Sequence, residues 1–122
     1  MMRQMKLFSE LFFRIKEGKK IIEVRLFDEK RQKVSVGDEI EFSLIDNQDE
    51  KILVKVIGLS RFWSFKDLYS SFHYSMFGHT HGTTLNDQIK DIEKCYSKEE
   101  EKKYGVLGIH VKIIDQLDSQ KT

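Results

Sequence analysis

The chain has 122 residues, with 21 Lys or Arg, 20 Asp or Glu and a net charge of +1. This near-neutral balance excludes extended binding to duplex DNA, which needs many surplus cations. The length fits one domain over residues 1–122, with a core over about 7–114 and a frayed, polar C-terminal tail. The single cysteine excludes an internal disulfide and fits a cytoplasmic protein, and no apolar run approaches the roughly 20 residues that cross a membrane.

Charge is unevenly distributed along the chain. Residues 1–33 hold ten Lys or Arg and five Asp or Glu, whereas residues 34–60 hold two and six. A basic N-terminal third can supply one basic face or pocket. Runs of charge are more often an ordinary solvated surface, so this asymmetry alone assigns no function.

The first predicted element is an amphipathic helix over Leu7–Glu17. Its apolar residues recur at helical spacing and form one stripe, which consists of Leu7, Phe8, Leu11, Phe12 and Ile15. Ser9 is the candidate start residue of this helix. Gly18 is the glycine expected just after a helix end.

A strand is predicted over Ile22–Leu26, where apolar and charged residues alternate. Successive side chains of a strand point to opposite faces. Glu23 and Arg25 must therefore share one face, opposite Ile22 and Val24.

The middle of the chain predicts a polar loop and a β-hairpin. The loop covers Asp28–Ser35, and strands are predicted over Glu39–Leu44 and Lys51–Phe62 with a polar turn at residues 46–49 between them. Gly58 in the long second strand predicts a bulge or bend, as the corner of a small barrel requires.

The last third of the chain predicts short helices and a closing strand. These elements are a helix capped by Ser64 that runs to Tyr69 or Phe72, helices over Thr84–Cys95 and Ser97–Lys103, and a strand over Val106–Ile114. The aromatic segment His73–Gly82 is too apolar for a free linker, so we expect an ordered loop over a pocket. This element order predicts an α+β fold with a small curled or closed sheet.

The segment from Gly18 to Arg25 concentrates the charged side chains best suited to chemistry. Lys20 offers a point charge or a titratable amine, Glu23 a carboxylate, and Arg25 a planar fork that suits phosphate or a base edge. Together they can bind a ligand that offers both donors and acceptors. From spacing alone, an exposed strand face with ordinary ion pairs is the simpler interpretation.

These residues form a G-x-K-x-x-E-x-R pattern that resembles the first motif of the ASCH domain, a branch of the PUA-like superfamily. Three later segments resemble further family features in the family's order, namely Val36–Phe42, Ser64–Leu68 and Tyr104–Val106. The resemblance covers about residues 7–114. It implies a small PUA-like β-barrel of about five to six strands, with short helices around it and a cleft beside the first motif.

The resemblance also implies a class of ligand. PUA-like domains commonly bind RNA or modified bases, so RNA, a nucleoside or a nucleotide is the expected partner. Related amidohydrolases act on acylated cytidine through a lysine, a threonine three positions later and a more distant glutamate, and ribonuclease activity is attributed to other members. Lys20 matches that lysine, Glu23 replaces the threonine and removes its hydroxyl nucleophile, and Asp87 is the nearest match for the acid. Activation of water by Glu23 remains feasible chemistry.

Two sets of site residues follow. The predicted ligand-binding residues are Gly18, Lys20, Glu23, Arg25, Trp63, Ser64, His79 and Tyr104, and the predicted catalytic residues are Lys20, Glu23 and Asp87. No metal site and no cofactor is predicted, because the histidines near residue 79 lack a cysteine pair or an acidic residue at a recognised spacing.

Three functions are compatible with this sequence. The first is a module that binds RNA or a modified nucleotide, and the second is an amidohydrolase or a ribonuclease. The third is a domain that binds another protein through the aromatic loop at residues 73–82. Internal ion pairs that close the motif face would favour this third function.

Overall fold

The computed structural model describes residues 2–117, and residues 115–117 by their backbone alone. The predicted frayed tail therefore lies largely outside the described residues. Strands and helices follow in the order β1 (Met2–Leu7), α1 (Ser9–Lys16), β2 (Ile22–Leu26), β3 (Glu39–Leu44), β4 (Lys51–Phe62), α2 (Phe65–Ser71), α3 (Leu85–Glu93), α4 (Lys98–Tyr104) and β5 (Val106–Leu117). Short 3-10 helices lie at Arg31–Lys33 and Tyr74–Met76.

The strands form one curled, half-barrel sheet in the order β1-β3-β4-β5-β2. β1 runs parallel to β3, and the other neighbours pair antiparallel. This mixed sheet of five strands with its surrounding helices confirms the predicted α+β class with a small curled sheet. None of the helices described within residues 2–117 is long and apolar enough to span a membrane.

The N-terminal strand β1 is the element that the sequence analysis missed. It pairs with β3 from Met2 opposite Glu39 to Leu7 opposite Leu44, and its inward side chains join the core. Its pairing partner lies more than thirty residues away, so a local pattern does not reveal it. The prediction of a helix from Leu7 was wrong because Leu7 belongs to this strand. The helix begins at Ser9, and its N-cap residue makes no side-chain capping hydrogen bond.

Two bulges bend the long strand β4 against β5. The register shifts once between Leu53 and Val54 and again between Val56 and Gly58, so the bulge predicted at Gly58 is confirmed. A Cβ at Gly58 would lie 3.5 Å from the ring of His110. The bends let both strands contribute to two separate cores.

One core fills the inside of the curled sheet under α1, and the other lies between the outer face and α2. The inner core includes Phe12, Ile40, Phe42 and Ile109, and the outer one includes Ile22, Phe65, Leu68 and Phe77. The apolar residues of the edge strand β2 lie in the outer core. Because side chains alternate along a strand, its charged face borders the inner core. This arrangement places Glu23 and Arg25 at the margin of the barrel.

The later elements differ from prediction only at their ends. α3 ends at Glu93 rather than Cys95, and β5 continues to Leu117 rather than Ile114. The caps follow the sequence pattern: Ser64 accepts a hydrogen bond from the Asp67 amide, and capping boxes formed by Thr84 with Asp87 and by Ser97 with Glu100 begin α3 and α4.

Candidate functional site

The turn between α1 and β2 fixes the position of Lys20. Gly18 has a φ of +76°, a conformation that favours glycine. Its amide donates to the Ile15 carbonyl at 3.0 Å, and the amides of Lys19 and Lys20 donate to the Arg14 carbonyl at 2.9 and 3.0 Å. These bonds satisfy the last helical carbonyls and direct the chain into β2.

The loop after α2 packs on the beginning of this strand. Lys20 forms an isolated β-bridge with Phe77, and the Ile21 amide donates to the Met76 carbonyl at 2.9 Å. Gly78 lies so close that a Cβ there would be 2.9 Å from the Cβ of Lys20. The aromatic segment is therefore ordered against the motif, and only glycine fits at this contact.

Lys20, Glu23 and Arg25 form one ion-paired cluster, called the trio below. Lys20 Nζ donates to the Ile22 carbonyl at 2.8 Å and lies 3.5 Å from Glu23 Oε1. Arg25 Nε donates to Glu23 Oε2 at 2.8 Å. Lys20 is 5% exposed and Glu23 is 3% exposed. The shared face predicted for Glu23 and Arg25 is confirmed, and the trio carries one more cation than carboxylate.

Burial and pairing act in opposite directions on the trio. Burial lowers the pKa of Lys20, and attraction to Glu23 offsets this shift only in part. Burial alone would raise the pKa of Glu23, but its attraction to Arg25 and Lys20 outweighs burial and lowers that pKa. Glu23 is therefore firmly ionised, and Lys20 is the member of the trio that loses its charge most readily.

Neutral polar groups border the trio. Gln88 is buried, and its amide donates to His79 Nδ1 at 3.0 Å. Burial lowers the pKa of His79, and the positive charge of Lys20 lowers it further, so the imidazole is neutral at pH 7. Burial raises the pKa of the Tyr69 hydroxyl, and the negative charge of Glu23 raises it further. These groups can donate or accept hydrogen bonds without adding charge.

Sequence reasoning missed Gln88 as a site residue because a polar residue on a helix suggests a solvent face. The position of Gln88 relative to the apolar residues of the helix could have indicated that it points inward. Gln88 is three residues after Leu85 and four before Ile92, so it lies on the apolar face that packs inward.

The structure divides the predicted site residues between different places. Trp63 is 82% exposed and lines, with Tyr104, a separate groove of about 620 Å³. Ser64 caps α2, and Asp87 caps α3 by accepting the Thr84 amide at 2.9 Å. Gathered around the motif are Gly18, Lys20, Glu23, Arg25 and His79. The described residues include no cluster of three His, Cys, Asp or Glu that could hold a metal.

Comparisons with known proteins agree with this architecture. The family model described as ASCH domain matches residues 5–115. A crystal structure of the hypothetical protein PH0355 is 34% identical, covers 93% of this chain and 100% of its own, and has a TM-score of 0.82. The solution structure of PF0455 from Pyrococcus furiosus is 29% identical, with 94% and 99% coverage and a TM-score of 0.72.

A more distant structure supports the fold alone. It is a mutant of the ASCH protein from Zymomonas mobilis, which is 13% identical, with a TM-score of 0.64 and coverage of 94% of this chain and 72% of its own. No curated protein matches the chain.

Proposed function

Because the chain belongs to the ASCH domain family, we propose that it binds RNA or a modified nucleotide beside the trio. The observation that carries this proposal is the surplus cation of the trio. Glu23 neutralises one of the two cations that flank it, the buried Lys20 and the partly buried Arg25, so these two together retain one positive charge. An anionic group such as a phosphate compensates that charge.

The groups around the trio suit the rest of such a ligand. His79 and Tyr69 are neutral at pH 7 and can exchange hydrogen bonds with a base or a sugar hydroxyl. Because the trio is desolvated, its charges act more strongly on a bound anion than exposed charges would. A basic motif with neutral neighbours therefore favours a small ligand or a short single strand.

The internal ion pairs of the trio also fit the protein-binding function. A purely structural ion pair needs one cation and one carboxylate. The trio contains a second cation, which that charge balance does not require. The unequal charge is therefore the reason for preferring an anionic ligand over a protein partner.

Neutral substitutions in the trio are expected to weaken binding of a short, labelled single-stranded RNA. Lys20→Met keeps the apolar stem and Arg25→Gln keeps a polar head, and each should raise the Kd about tenfold or more because a charge-assisted hydrogen bond contributes about 1.5–3 kcal/mol. Fluorescence anisotropy measures the effect. Lys66→Met, an exposed lysine on α2, is the matched control.

The proposal fails if both trio variants bind RNA as tightly as the parent protein. Thermal unfolding of each variant shows whether a loss of affinity comes from loss of fold. An equal loss of RNA affinity in Lys66→Met would indicate nonspecific attraction of RNA to lysine rather than binding at a defined site.

The lowered pKa of Lys20 favours amide hydrolysis as the second candidate function, because burial makes the neutral amine, the better nucleophile or base, easier to form. Glu23 argues against it: a carboxylate held between two cations, with a lowered pKa, is a weak general base. We therefore expect no deacetylation of N4-acetylcytidine, measured by mass spectrometry. Turnover that is lost in Lys20→Met would instead establish the enzyme.

A further inference from the structure

A basic pocket of about 480 Å³ lies on the outer face of β1 and β3, beneath the segment that follows β2. Its charged lining consists of Lys6, Arg25, Lys30, Arg31, Glu41 and Lys51. Side chains alternate along β1 and β3, so the polar lining residues on these strands point away from the inner core, to which the neighbouring Met5 belongs. The charged residue Arg25 belongs both to this pocket and to the trio.

The cations of the pocket outnumber the carboxylates that reach them. Three of the cations have acidic partners; the pairs are Arg25 with Glu23 at 2.8 Å, Arg31 with Asp28 at 3.0 Å, and Lys51 with Glu41 at 3.4 Å. Lys6 and Lys30 form no ion pair with any residue from 2 to 117. Two positive charges are therefore left for a ligand.

Arg31 adds a donor without an acceptor. Its Nη1 donates to Asp28 at 3.0 Å, but its Nε is buried and has no hydrogen-bond partner among the described residues. A buried donor without an acceptor costs about 1–3 kcal/mol, and native proteins rarely leave one unsatisfied. Arg31 lines the pocket, so an oxyanion bound there would lie beside a side chain whose Nε donor is unused.

We propose that this pocket binds a phosphate group of a nucleotide or a short oligonucleotide. The two surplus cations match the charge of a terminal phosphate, and its oxygens can accept bonds from several donors at once. The volume lies within the usual range of ligand pockets, about 300–1,000 Å³. That the ligand is a phosphate group is argued from this pocket alone. That the phosphate belongs to a nucleotide rests on the function proposed above, because Arg25 is shared between the pocket and the trio.

Inorganic pyrophosphate tests the phosphate chemistry directly. Isothermal titration calorimetry of the full chain at physiological salt should show saturable binding, and Lys30→Glu should weaken it about tenfold or more. Lys30 is exposed and unpaired, so this variant is expected to fold normally. Lys66→Glu, an exposed lysine with the same charge change, should leave the Kd within about twofold.

Arg31→Lys tests the buried donor separately, because it keeps the charge and removes Nε. We expect weaker pyrophosphate binding with no loss of thermal stability. The proposal is overturned if pyrophosphate does not bind saturably, or if Lys30→Glu and Lys66→Glu weaken binding equally.

A pair of dinucleotides, with and without a 5′-phosphate, tests the nucleotide source. The phosphorylated form should bind more tightly to the parent protein, and Lys30→Glu should abolish that gain. If pyrophosphate binds but the two dinucleotides bind equally tightly, the phosphate that the pocket recognises is not that of a nucleotide. Pyrophosphate binding that depends on Lys30, with no binding of either dinucleotide, overturns the RNA-binding function and leaves the phosphate pocket intact.

Discussion

Replacing Glu23 with glutamine is expected to lower the free energy of unfolding by about 3–5 kcal/mol at pH 7, because it leaves the buried Lys20 and the partly buried Arg25 without their carboxylate. Glutamine has nearly the same volume as glutamate, so the loss comes from charge and not from packing. Urea denaturation monitored by circular dichroism measures it. Glu41→Gln is the control, because Glu41 pairs with Lys51 on the polar face and should lose less than about 1 kcal/mol.

Equal losses in the two variants would show that the trio is no more than a surface ion pair. Acid titration gives a second readout. The native pKa of Glu23 lies below its ordinary value of 4.5, so between these values the unfolded chain binds more protons than the native protein. The stabilisation from Glu23 is complete above about pH 4.5 and is lost as pH falls through the native pKa. The stability difference between the parent and Glu23→Gln should therefore shrink on acidification.

Replacing Gly78 with alanine is expected to destabilise the protein by about 2–5 kcal/mol and to weaken RNA binding. The φ of +81° disfavours alanine by about 1–2 kcal/mol, and overpacking costs about 1–3 kcal/mol more. The new methyl group would lie 2.9 Å from Lys20 Cβ and 3.0 Å from Arg14 Cδ, so the loop must move off the motif.

Gly82→Ala is the matched control for this substitution. Gly82 has a similar φ of +90°, but a Cβ there has no neighbour within 4 Å. Its expected loss is the backbone cost alone, about 1–2 kcal/mol, with unchanged RNA affinity. If the two alanine variants have the same stability and the same affinity, the contact between Gly78 and Lys20 does not order the loop. Thermal denaturation and the anisotropy assay give both values.

The part of the site that the sequence could predict is the part set by local geometry. Alternation along β2 placed Glu23 and Arg25 on one face, and their ion pair at 2.8 Å confirms it. Ser64, Thr84 and Ser97 marked helix starts because capping depends on residues three positions apart. Such features require no knowledge of which strands become neighbours.

The features that depend on distant pairing could not be predicted. β1 forms a strand because β3 lies beside it, and the six residues of β1 have no strong period of their own. Trp63 is among the predicted ligand-binding residues, yet it lies on a separate groove. The pocket that Arg31 lines forms only where β1, β3 and the segment after β2 come together, and nothing in the local sequence indicates that its Nε lacks an acceptor.

The sheet order has a consequence for protein synthesis. β5 lies between β4 and β2, and among the described strands it is the one with which β2 pairs. β1, β3 and β4 can associate soon after they leave the ribosome, but β2 must wait until the helical segments and then β5 have been translated. During that interval the backbone of Ile22–Leu26 lacks the strand with which it pairs. The nascent chain therefore carries the trio long before the sheet that positions it is complete, and a ribosome that stalls ahead of Val106 exposes an unpaired strand that chaperones can bind.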